Sequence, residues 1–270
     1  MTGSGVLEAV GSWPVGRAAA ATVVGGEIEA VHGDPDEVFE LASVTKLITA
    51  MAVLVAHEEG TIDLDGAATP DGATFADLLA HAGGLAPDTP TPISDPHTRR
   101  IYSTAGYDLV AESVSAAAAM SFGTYVSEAV TGPLAMASTV VGVSPGSDGR
   151  STVADLVRLV GAWRKPLLVH ESTLRRATIP HLPDLDGVLP GYGRQSPNLW
   201  GLGPEIRGEK QPHWGGTRAS AHTFGHFGRA GTLWWFDPEC DRAVVALTDE
   251  PFGPWAIDAW PALADAVLAD

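Results

Sequence analysis

The sequence is short of cysteine and of long apolar runs. Cys240 is the only cysteine among 270 residues, so no disulfide can form within the chain. The longest nearly unbroken apolar run, residues 47–56, is too short to cross a bilayer. Residues 1–6 contain no basic stretch followed by an apolar one, which indicates that no signal peptide is present. We therefore expect a cytoplasmic protein with no membrane partner.

Basic residues are also scarce. The chain has 16 lysines and arginines against 33 acidic residues, and its formal net charge is −17. Nucleic acids and anionic membrane surfaces both bind to basic patches, so we expect neither as a partner. The glycine-rich phosphate loop and the dinucleotide fingerprint are missing as well, so we expect no cofactor. These features favour a small molecule as the partner, and they leave the oligomeric state open.

The apolar pattern predicts strands at both ends of the chain and helices between them. Residues 18–31 are typical of a hairpin around Gly25-Gly26. Further strands are expected at 224–229, 231–236 and 243–248, before a closing helix at 255–269. Helices are expected at 75–81, from just after Tyr107 to about 120, from 121 to about 132, and at 153–163. The fold class predicted is α+β, an α/β/α sandwich whose antiparallel sheet is built from both termini and flanked by helices, with an inserted helical lobe. We expect one domain over 1–270, with a sheet lobe (1–60 and 210–270) and a mainly helical lobe (61–209).

One segment, residues 39–60, is predicted to be a helix that is apolar on nearly every face and ends before Gly60. Its first turn carries Ser43 and Lys46, which project from the same face. Burying an ammonium is costly, and Lys46 is one of only three lysines. A lysine whose pKa is lowered by burial can act as the base that a serine nucleophile needs. The alternative is a capping serine with a lysine that extends to solvent.

Two other sites could serve such a nucleophile. Tyr102 follows a proline-rich loop, and beside a buried ammonium its phenol could ionise and transfer a proton. Gly228 would let a ligand approach a strand closely. The backbone N–H groups of Arg229 and Ser43 could together form an oxyanion hole. Each feature taken alone also fits an ordinary role, such as a packed tyrosine ring or a strand bulge.

Three motifs occur together and in order: Ser43-Val44-Thr45-Lys46, Tyr102-Ser103-Thr104 and His226-Phe227-Gly228. This set resembles the serine β-lactamase-related, penicillin-binding-protein-like superfamily, in which Ser-x-x-Lys carries the nucleophile. The group includes class C β-lactamases, D-Ala-D-Ala carboxypeptidases, D-aminopeptidases and β-lactamase-like esterases. Residues 58–65, 78–85, 132–136, 201–203 and 225–238 also resemble segments of that family.

The resemblance implies an acyl-enzyme mechanism. Ser43 would attack, Lys46 and Tyr102 would handle its proton, and water would release the acyl group. The N–H groups of Ser43 and Arg229 would hold the oxyanion. Substrate binding would fall to Thr104, His226, Phe227 and Gly228.

The chain departs from the family at three of these positions. Thr104 stands where the family usually has asparagine. A single hydroxyl thus replaces a side-chain amide, which can both donate a hydrogen bond to a substrate amide and accept one from it. His226 replaces the lysine of class C β-lactamases, and Phe227 replaces a threonine or serine. We therefore expect an esterase that acts on small neutral esters. The alternatives are a β-lactamase or D-amino-acid peptidase or amidase, an acyltransferase, and a catalytically impaired binding module.

Two competing motifs are weaker. Gly142-Val143-Ser144-Pro145-Gly146 matches the nucleophile elbow of α/β-hydrolases, but that elbow needs an N–H at the position of Pro145. His222 and His226 have the spacing of metal ligands on a helix, yet their segment is predicted to be loop and strand. We therefore expect no metal site.

Overall fold

The computed structural model describes residues 3–269, so residues 1, 2 and 270 of the predicted domain lie outside the described residues. The α-helices are α1 Gly3–Val6, α2 Thr45–Glu58, α3 Phe75–Leu79, α4 Thr104–Ala118, α5 Phe122–Val126, α6 Val153–Arg164, α7 Glu171–Thr178 and α8 Pro254–Val267. The strands are β1 Ala18–Val24, β2 Glu27–His32, β3 Phe39–Glu40, β4 Val140–Val141, β5 Gly149–Ser151, β6 Gly187–Leu189, β7 Gly193–Gln195, β8 Glu205–Ile206, β9 Phe224–Gly228, β10 Thr232–Asp237 and β11 Arg242–Thr248. Short 3₁₀ turns cover Leu7–Ser12 and Ala42–Val44, and a π-helical turn covers Ser127–Thr131.

The main sheet of the described chain has six antiparallel strands in the order β2-β1-β11-β10-β9-β8. Strands from the start of the chain thus lie beside strands from its end. Alternate residues of each central strand point to opposite faces, so both faces need an apolar cover. In β10, for example, Trp234 packs in one hydrophobic core and Trp235 in the other.

Helices supply that cover on both sides. The apolar residues of α2 and α6 pack in the core with Trp234, whose indole N–H donates to the Leu156 carbonyl (3.1 Å). On the other face, α8 buries Trp260 and Leu263 beside Trp235. The α/β/α sandwich expected from the sequence is therefore confirmed.

Local sequence signals place several elements correctly. Gly25 and Gly26 both have positive φ (64° and 92°), as a two-residue hairpin turn requires. Thr74 and Asp77 form a capping box at the start of α3. Gly60 has φ of 74° just beyond α2, the left-handed position that favours glycine at a helix end.

The expected single helix over 39–60 is wrong at its start. Residues 39–40 form β3, which pairs with β5, and the 3₁₀ turn precedes α2. Ala42 has φ of 45°, which a continuous right-handed helix cannot include. The strand pairing joins residues more than 100 positions apart, so local periodicity could not show it. Ser43 therefore lies in the 3₁₀ turn, one residue before the N-cap Val44.

The lobe boundaries differ in detail from the expected ones. β8 joins the sheet before residue 210, and α6, from the expected helical lobe, covers the sheet. The helix α7 and the hairpin of β6 and β7 were not predicted. No single helix in residues 3–269 has the length and apolar character to cross a membrane, although the bent pair 104–118 and 122–131 meets those criteria together.

A buried ion pair fastens the loop after β8 to the edge of the sheet. The ammonium of Lys210 donates to the Glu205 carboxylate (2.6 Å) and to the carbonyls of Leu199 (2.9 Å) and Ile206 (2.8 Å). The other oxygen of Glu205 accepts from the Trp214 indole (2.7 Å). Burial alone would raise the pKa of Glu205, but the nearby cations outweigh it and lower that pKa to about 2. The carboxylate is thus held ionised inside the protein.

Replacing Lys210 by methionine should destabilise the protein by about 3–5 kcal/mol, because it leaves the Glu205 charge buried without its main partner. Urea unfolding at pH 7 measures the loss. The double variant Glu205→Gln/Lys210→Met is the control, since removing both charges should recover more than half of the lost stability. A single variant that loses less than about 1 kcal/mol would contradict this account.

Candidate active site

A pocket of about 320 Å³ opens between the end of β9 and the loops before α4. It contains most of the residues that the motifs indicated. Its walls are mainly apolar, and its charged side chains are Asp88, Glu205 and Arg229. Its lining is Ala42, Ser43, Pro87, Asp88, Tyr102, Thr104, Ser147, Leu189, Pro190, Trp200, Glu205, His226, Phe227, Arg229 and Phe252.

Backbone contacts fix Ser43 at this pocket. The Leu41 carbonyl accepts a hydrogen bond from the Thr232 hydroxyl (2.7 Å), which ties the 3₁₀ turn to β10. Ala42 holds a left-handed conformation, a strain of about 1–2 kcal/mol that the surrounding contacts must offset. Ser43 is partly exposed. The hydroxyl is thus presented to the pocket at the junction of sheet and helix.

Gly228 lies directly against this turn. A Cβ atom at this position would lie 2.2 Å from the Leu41 carbonyl oxygen and 3.2 Å from the Ser43 nitrogen, so only glycine fits. The end of β9 therefore runs beside the Ser43 N–H, and Arg229 follows it. Within residues 3–269 neither the Ser43 N–H nor the Arg229 N–H donates a hydrogen bond. Two unpaired N–H groups beside a serine hydroxyl are what an oxyanion hole requires.

Lys46 lies fully buried beneath the pocket. Its ammonium donates to the Gly146 carbonyl (2.7 Å) and to the Thr104 hydroxyl (3.2 Å). Removal from water lowers the pKa of Lys46 to about 7, against an opposing effect of Asp108 and Asp88. Near neutral pH a large fraction of Lys46 is therefore the neutral amine, which can accept a proton.

Tyr102 does not match the expectation that its phenol ionises. Burial raises the pKa of Tyr102 above its usual value. The Lys46 ammonium lies over the ring face, 4.7 Å from the centroid, where it interacts with the π system. The Ser43 hydroxyl is close enough to the phenol to oppose part of the increase. Tyr102 thus remains protonated at neutral pH and can only relay a proton.

His226 is held neutral beside it. Its Nδ1–H donates to the Phe227 carbonyl (2.7 Å), which leaves Nε2 as the acceptor for the Tyr102 hydroxyl (3.3 Å). Burial, followed by the charge of Lys46, lowers the pKa of His226 to about 3. The side chain therefore offers the pocket a neutral acceptor, where a lysine would offer a cation.

The remaining predicted residues lie in the same pocket. Thr104 is the first residue of α4, and Phe227 packs against Phe252 (centroids 4.9 Å apart) as part of an apolar wall. His222, by contrast, binds Glu239 (2.8 Å) in an exposed position, so it shares no ligand site with His226. The pocket thus brings together residues of all three motifs, namely Ser43, Tyr102, Thr104, His226 and Phe227, but the structure gives no support to the histidine pair.

Sequence reasoning missed several residues around this pocket. The His81 ring stacks on Tyr102 with centroids 4.4 Å apart, and its Nδ1 accepts the Ser103 N–H (3.1 Å). The Trp200 ring also packs against the Tyr102 ring, with centroids 5.8 Å apart. His81 lies within a segment that resembles the family, but Trp200 comes from a loop and Glu205 from the short strand β8, and neither belongs to a motif. Their positions depend on how distant loops pack.

The roles of the motif residues stay predictions. In the described part of the chain, no hydrogen bond of normal geometry joins the Ser43 hydroxyl to Lys46 or to Tyr102. Catalytic hydrogen bonds are often long in a free enzyme and shorten when substrate binds. The arrangement offers a serine hydroxyl, a titratable amine beneath it and two free N–H groups beside it. That is the set of groups acyl transfer requires.

The profile of the β-lactamase family matches residues 15–268 of the chain, and the chain therefore belongs to this family. A crystal structure described as a β-lactamase from Mycobacterium bovis shares 48% sequence identity, covers 98% of both chains and superposes with a TM-score of 0.96. No curated protein matches the chain.

More distant structures share the fold. EstCE1, described as a hydrolase with promiscuous acyltransferase activity, is 16% identical over 98% of this chain and 97% of its own, with a TM-score of 0.80. A penicillin-binding protein homologue from Pyrococcus abyssi is 17% identical over 98% of this chain and 74% of its own, with a TM-score of 0.75. At such low identity these two show the fold alone.

If Lys46 is the base, kcat/KM for a nitrophenyl ester should increase about tenfold per pH unit below pH 7 and level off above it. The reason is that Lys46 titrates near neutrality whereas its neighbours His226 and Tyr102 do not, since the pKa of His226 is about 3 and that of Tyr102 is raised. Stopped-time assays between pH 5 and 9 measure the profile. Lys46→Arg is the control and should be inactive at every pH, because arginine stays charged. An acid limb near pH 4 would instead identify a carboxylate as the base.

Proposed function

We propose that the chain is a serine hydrolase that works through an acyl-enzyme on Ser43 and prefers small neutral esters. The observation that carries this proposal is the buried Lys46 amine beneath a serine in an apolar pocket. Membership of the β-lactamase family supports the reaction class but leaves the substrate open.

The reaction begins when neutral Lys46 accepts the proton of the Ser43 hydroxyl. The Ser43 oxygen then attacks the ester carbonyl carbon, and the developing oxyanion accepts hydrogen bonds from the N–H groups of Ser43 and Arg229. When the carbon–oxygen bond to the alcohol breaks, the Lys46 proton passes to the alcohol, directly or through the Tyr102 hydroxyl. A water molecule then gives a proton to Lys46 and attacks the acyl carbon, and when the bond to Ser43 breaks the Lys46 proton returns to the Ser43 oxygen. The products are the acid, the alcohol and free Ser43.

The polar groups of the pocket favour esters over amides. Thr104 already accepts a hydrogen bond from Lys46, and its single oxygen cannot meet both the C=O and the N–H of a substrate amide as the separate oxygen and nitrogen of an asparagine side chain can. An ester lacks the N–H that would need an acceptor. Neutral His226 also binds a carboxylate less strongly than a lysine would. Exposed Arg229 is the remaining cation at the pocket, and solvent weakens its attraction.

Three other functions remain alternatives to ester hydrolysis. The same acyl-enzyme could pass its acyl group to an alcohol, and EstCE1 is described as having such promiscuous acyltransferase activity. β-Lactamase or D-peptidase activity is the second alternative, and a binding module with impaired catalysis is the third. Location in the cytoplasm and action on a small molecule stay predictions.

A fluorophosphonate probe should label the wild-type protein and fail to label Ser43→Ala, because the probe reacts with an activated serine hydroxyl. Intact-protein mass spectrometry detects the added mass. Ser147→Ala is the matched control, since Ser147 is the other serine in the lining of the same pocket, and it should keep its labelling. Equal labelling of wild type and Ser43→Ala would reject Ser43 as the nucleophile.

A nitrophenyl ester should be turned over faster than a chromogenic cephalosporin. Thr104→Asn should shift the ratio of the two rates towards the cephalosporin by about tenfold, because one well-placed hydrogen bond contributes roughly 1.4 kcal/mol. Thr104→Ser keeps the hydroxyl and should leave the ratio nearly unchanged. A wild-type protein that prefers the cephalosporin would reverse the order of substrates proposed here.

A further inference from the structure

The rejected nucleophile elbow, residues 142–146, lies against Lys46. The carbonyl of Gly146 accepts the 2.7 Å hydrogen bond from the Lys46 ammonium. The preceding carbonyl, of Pro145, accepts from the Thr49 hydroxyl of the same helix, α2 (2.6 Å). Two consecutive carbonyls of a loop thus point at one face of α2. We call residues 144–146 the lysine loop.

A single carboxylate holds the lysine loop from the other side. Asp108 accepts hydrogen bonds from the Ser144 hydroxyl (2.9 Å to one oxygen and 3.1 Å to the other) and from the Gly146 N–H (3.1 Å). Asp108 lies on α4, one turn after Thr104, which is the second acceptor of Lys46. One helical turn therefore positions both acceptors, Thr104 directly and Gly146 through Asp108.

The lysine loop has no room to shift towards α4. A Cβ atom on Gly146 would lie 2.8 Å from the Thr104 methyl carbon, 3.0 Å from the Thr104 carbonyl oxygen and 3.1 Å from the Tyr107 Cβ. Glycine at this position lets the backbone come close enough for its carbonyl to reach Lys46. The close contact with α4 prevents the loop from moving nearer to that helix, and the hydrogen bonds to Asp108 prevent it from moving away.

We propose that Asp108 is a positioning residue for Lys46, which it aims at Ser43 by fixing the Gly146 carbonyl. A neutral amine has two N–H donors and one lone pair. When Gly146 and Thr104 take both donors, the lone pair is left for the Ser43 hydroxyl. This inference rests on the proposed function, because aiming the lone pair matters only if Lys46 is a base.

Asp108 also acts on Lys46 through its charge. The groups that face Lys46 are the carboxylates of Asp108 and Asp88, the phenols of Tyr102 and Tyr107, and the imidazoles of His81 and His226. Burial raises the pKa of both phenols and lowers the pKa of both imidazoles, so these four groups are neutral at pH 7. The two carboxylates are the charges left to favour the ammonium, and the effect of Asp108 is the larger.

The test uses three variants and a matched control. Asp108→Asn removes the charge but keeps an oxygen that can accept from the loop. Asp108→Ala removes both, and Ser144→Ala loosens the loop while the charge remains. Glu112→Gln is the control: it removes a carboxylate one turn further along α4, at an exposed position, whereas the hydrogen bonds of Ser144 and of the Gly146 N–H go to Asp108.

Asp108→Ala should reduce kcat on the alkaline plateau by about 10- to 100-fold, the effect expected when a reacting group moves by about 1 Å. Asp108→Asn should lose less, and Glu112→Gln should match wild type. The acid limb of the kcat/KM profile should move to lower pH in both Asp108 variants, because lost negative charge lowers the pKa of Lys46. Ser144→Ala should lower the plateau with a smaller shift of the limb.

A second readout does not depend on activity. The chain has only three lysines, so ¹³C-labelled lysine gives resolvable NMR signals, and Lys46 is assigned from Lys46→Met. Its titration should move to lower pH in Asp108→Asn and stay unchanged in Glu112→Gln. A folded Asp108→Ala or Asp108→Asn with unaltered plateau and titration would overturn the positioning role. A wild-type protein without Ser43-dependent activity would reject the proposed function instead, while the titration still reports whether Asp108 acts on Lys46.

Discussion

The cost of burying the Lys46 amine is the constraint on which the site depends. Water is excluded from this lysine by α2 and by the rings of Tyr102 and Tyr107, so its charged form is disfavoured. The same desolvation keeps the neighbouring phenols protonated and His226 neutral. Burial therefore sets the protonation states of Lys46 and of its neighbours Tyr102 and His226, and of these three only Lys46 titrates near pH 7.

The comparison with Lys210 shows what a different partner does. Both lysines are fully buried, and in both cases burial lowers the pKa. Lys210 has a carboxylate partner at 2.6 Å and two carbonyls, which supply all three of its donors with acceptors. Lys46 has two neutral acceptors, and the carboxylate nearest to it acts through a loop. A direct ion pair would hold Lys46 in the charged form and prevent it from acting as a base. The indirect contact of Lys46 with Asp108 therefore suits a base, whereas the direct ion pair of Lys210 suits a structural role.

How much could be predicted depended on the range of each interaction. The sandwich, the hairpin turn at Gly25-Gly26 and the cap at Thr74 follow from local patterns, and the three motifs led to residues that share one pocket. The single helix over 39–60 failed because β3 pairs with a segment far along the chain. Ionisation of Tyr102 failed because the phenol is buried, which raises its pKa, and the sequence motif does not show how deeply the ring is buried. The rejected elbow motif at 142–146 has another role in the structure, because the Ser144 hydroxyl and the Gly146 N–H donate hydrogen bonds to Asp108.

The departures at Thr104 and His226 follow one electrostatic logic. A cation at position 226 would lie beside Lys46, and each charge would lower the pKa of the other. The neutral imidazole avoids this repulsion, but it gives the pocket no cation at position 226 that could bind a substrate carboxylate. Thr104 in turn supplies Lys46 with an acceptor through one hydroxyl, at the expense of the amide recognition that a side-chain amide provides. Both departures leave the pocket with fewer groups to bind a charged amide substrate, and this is the reason that our proposal places neutral esters first.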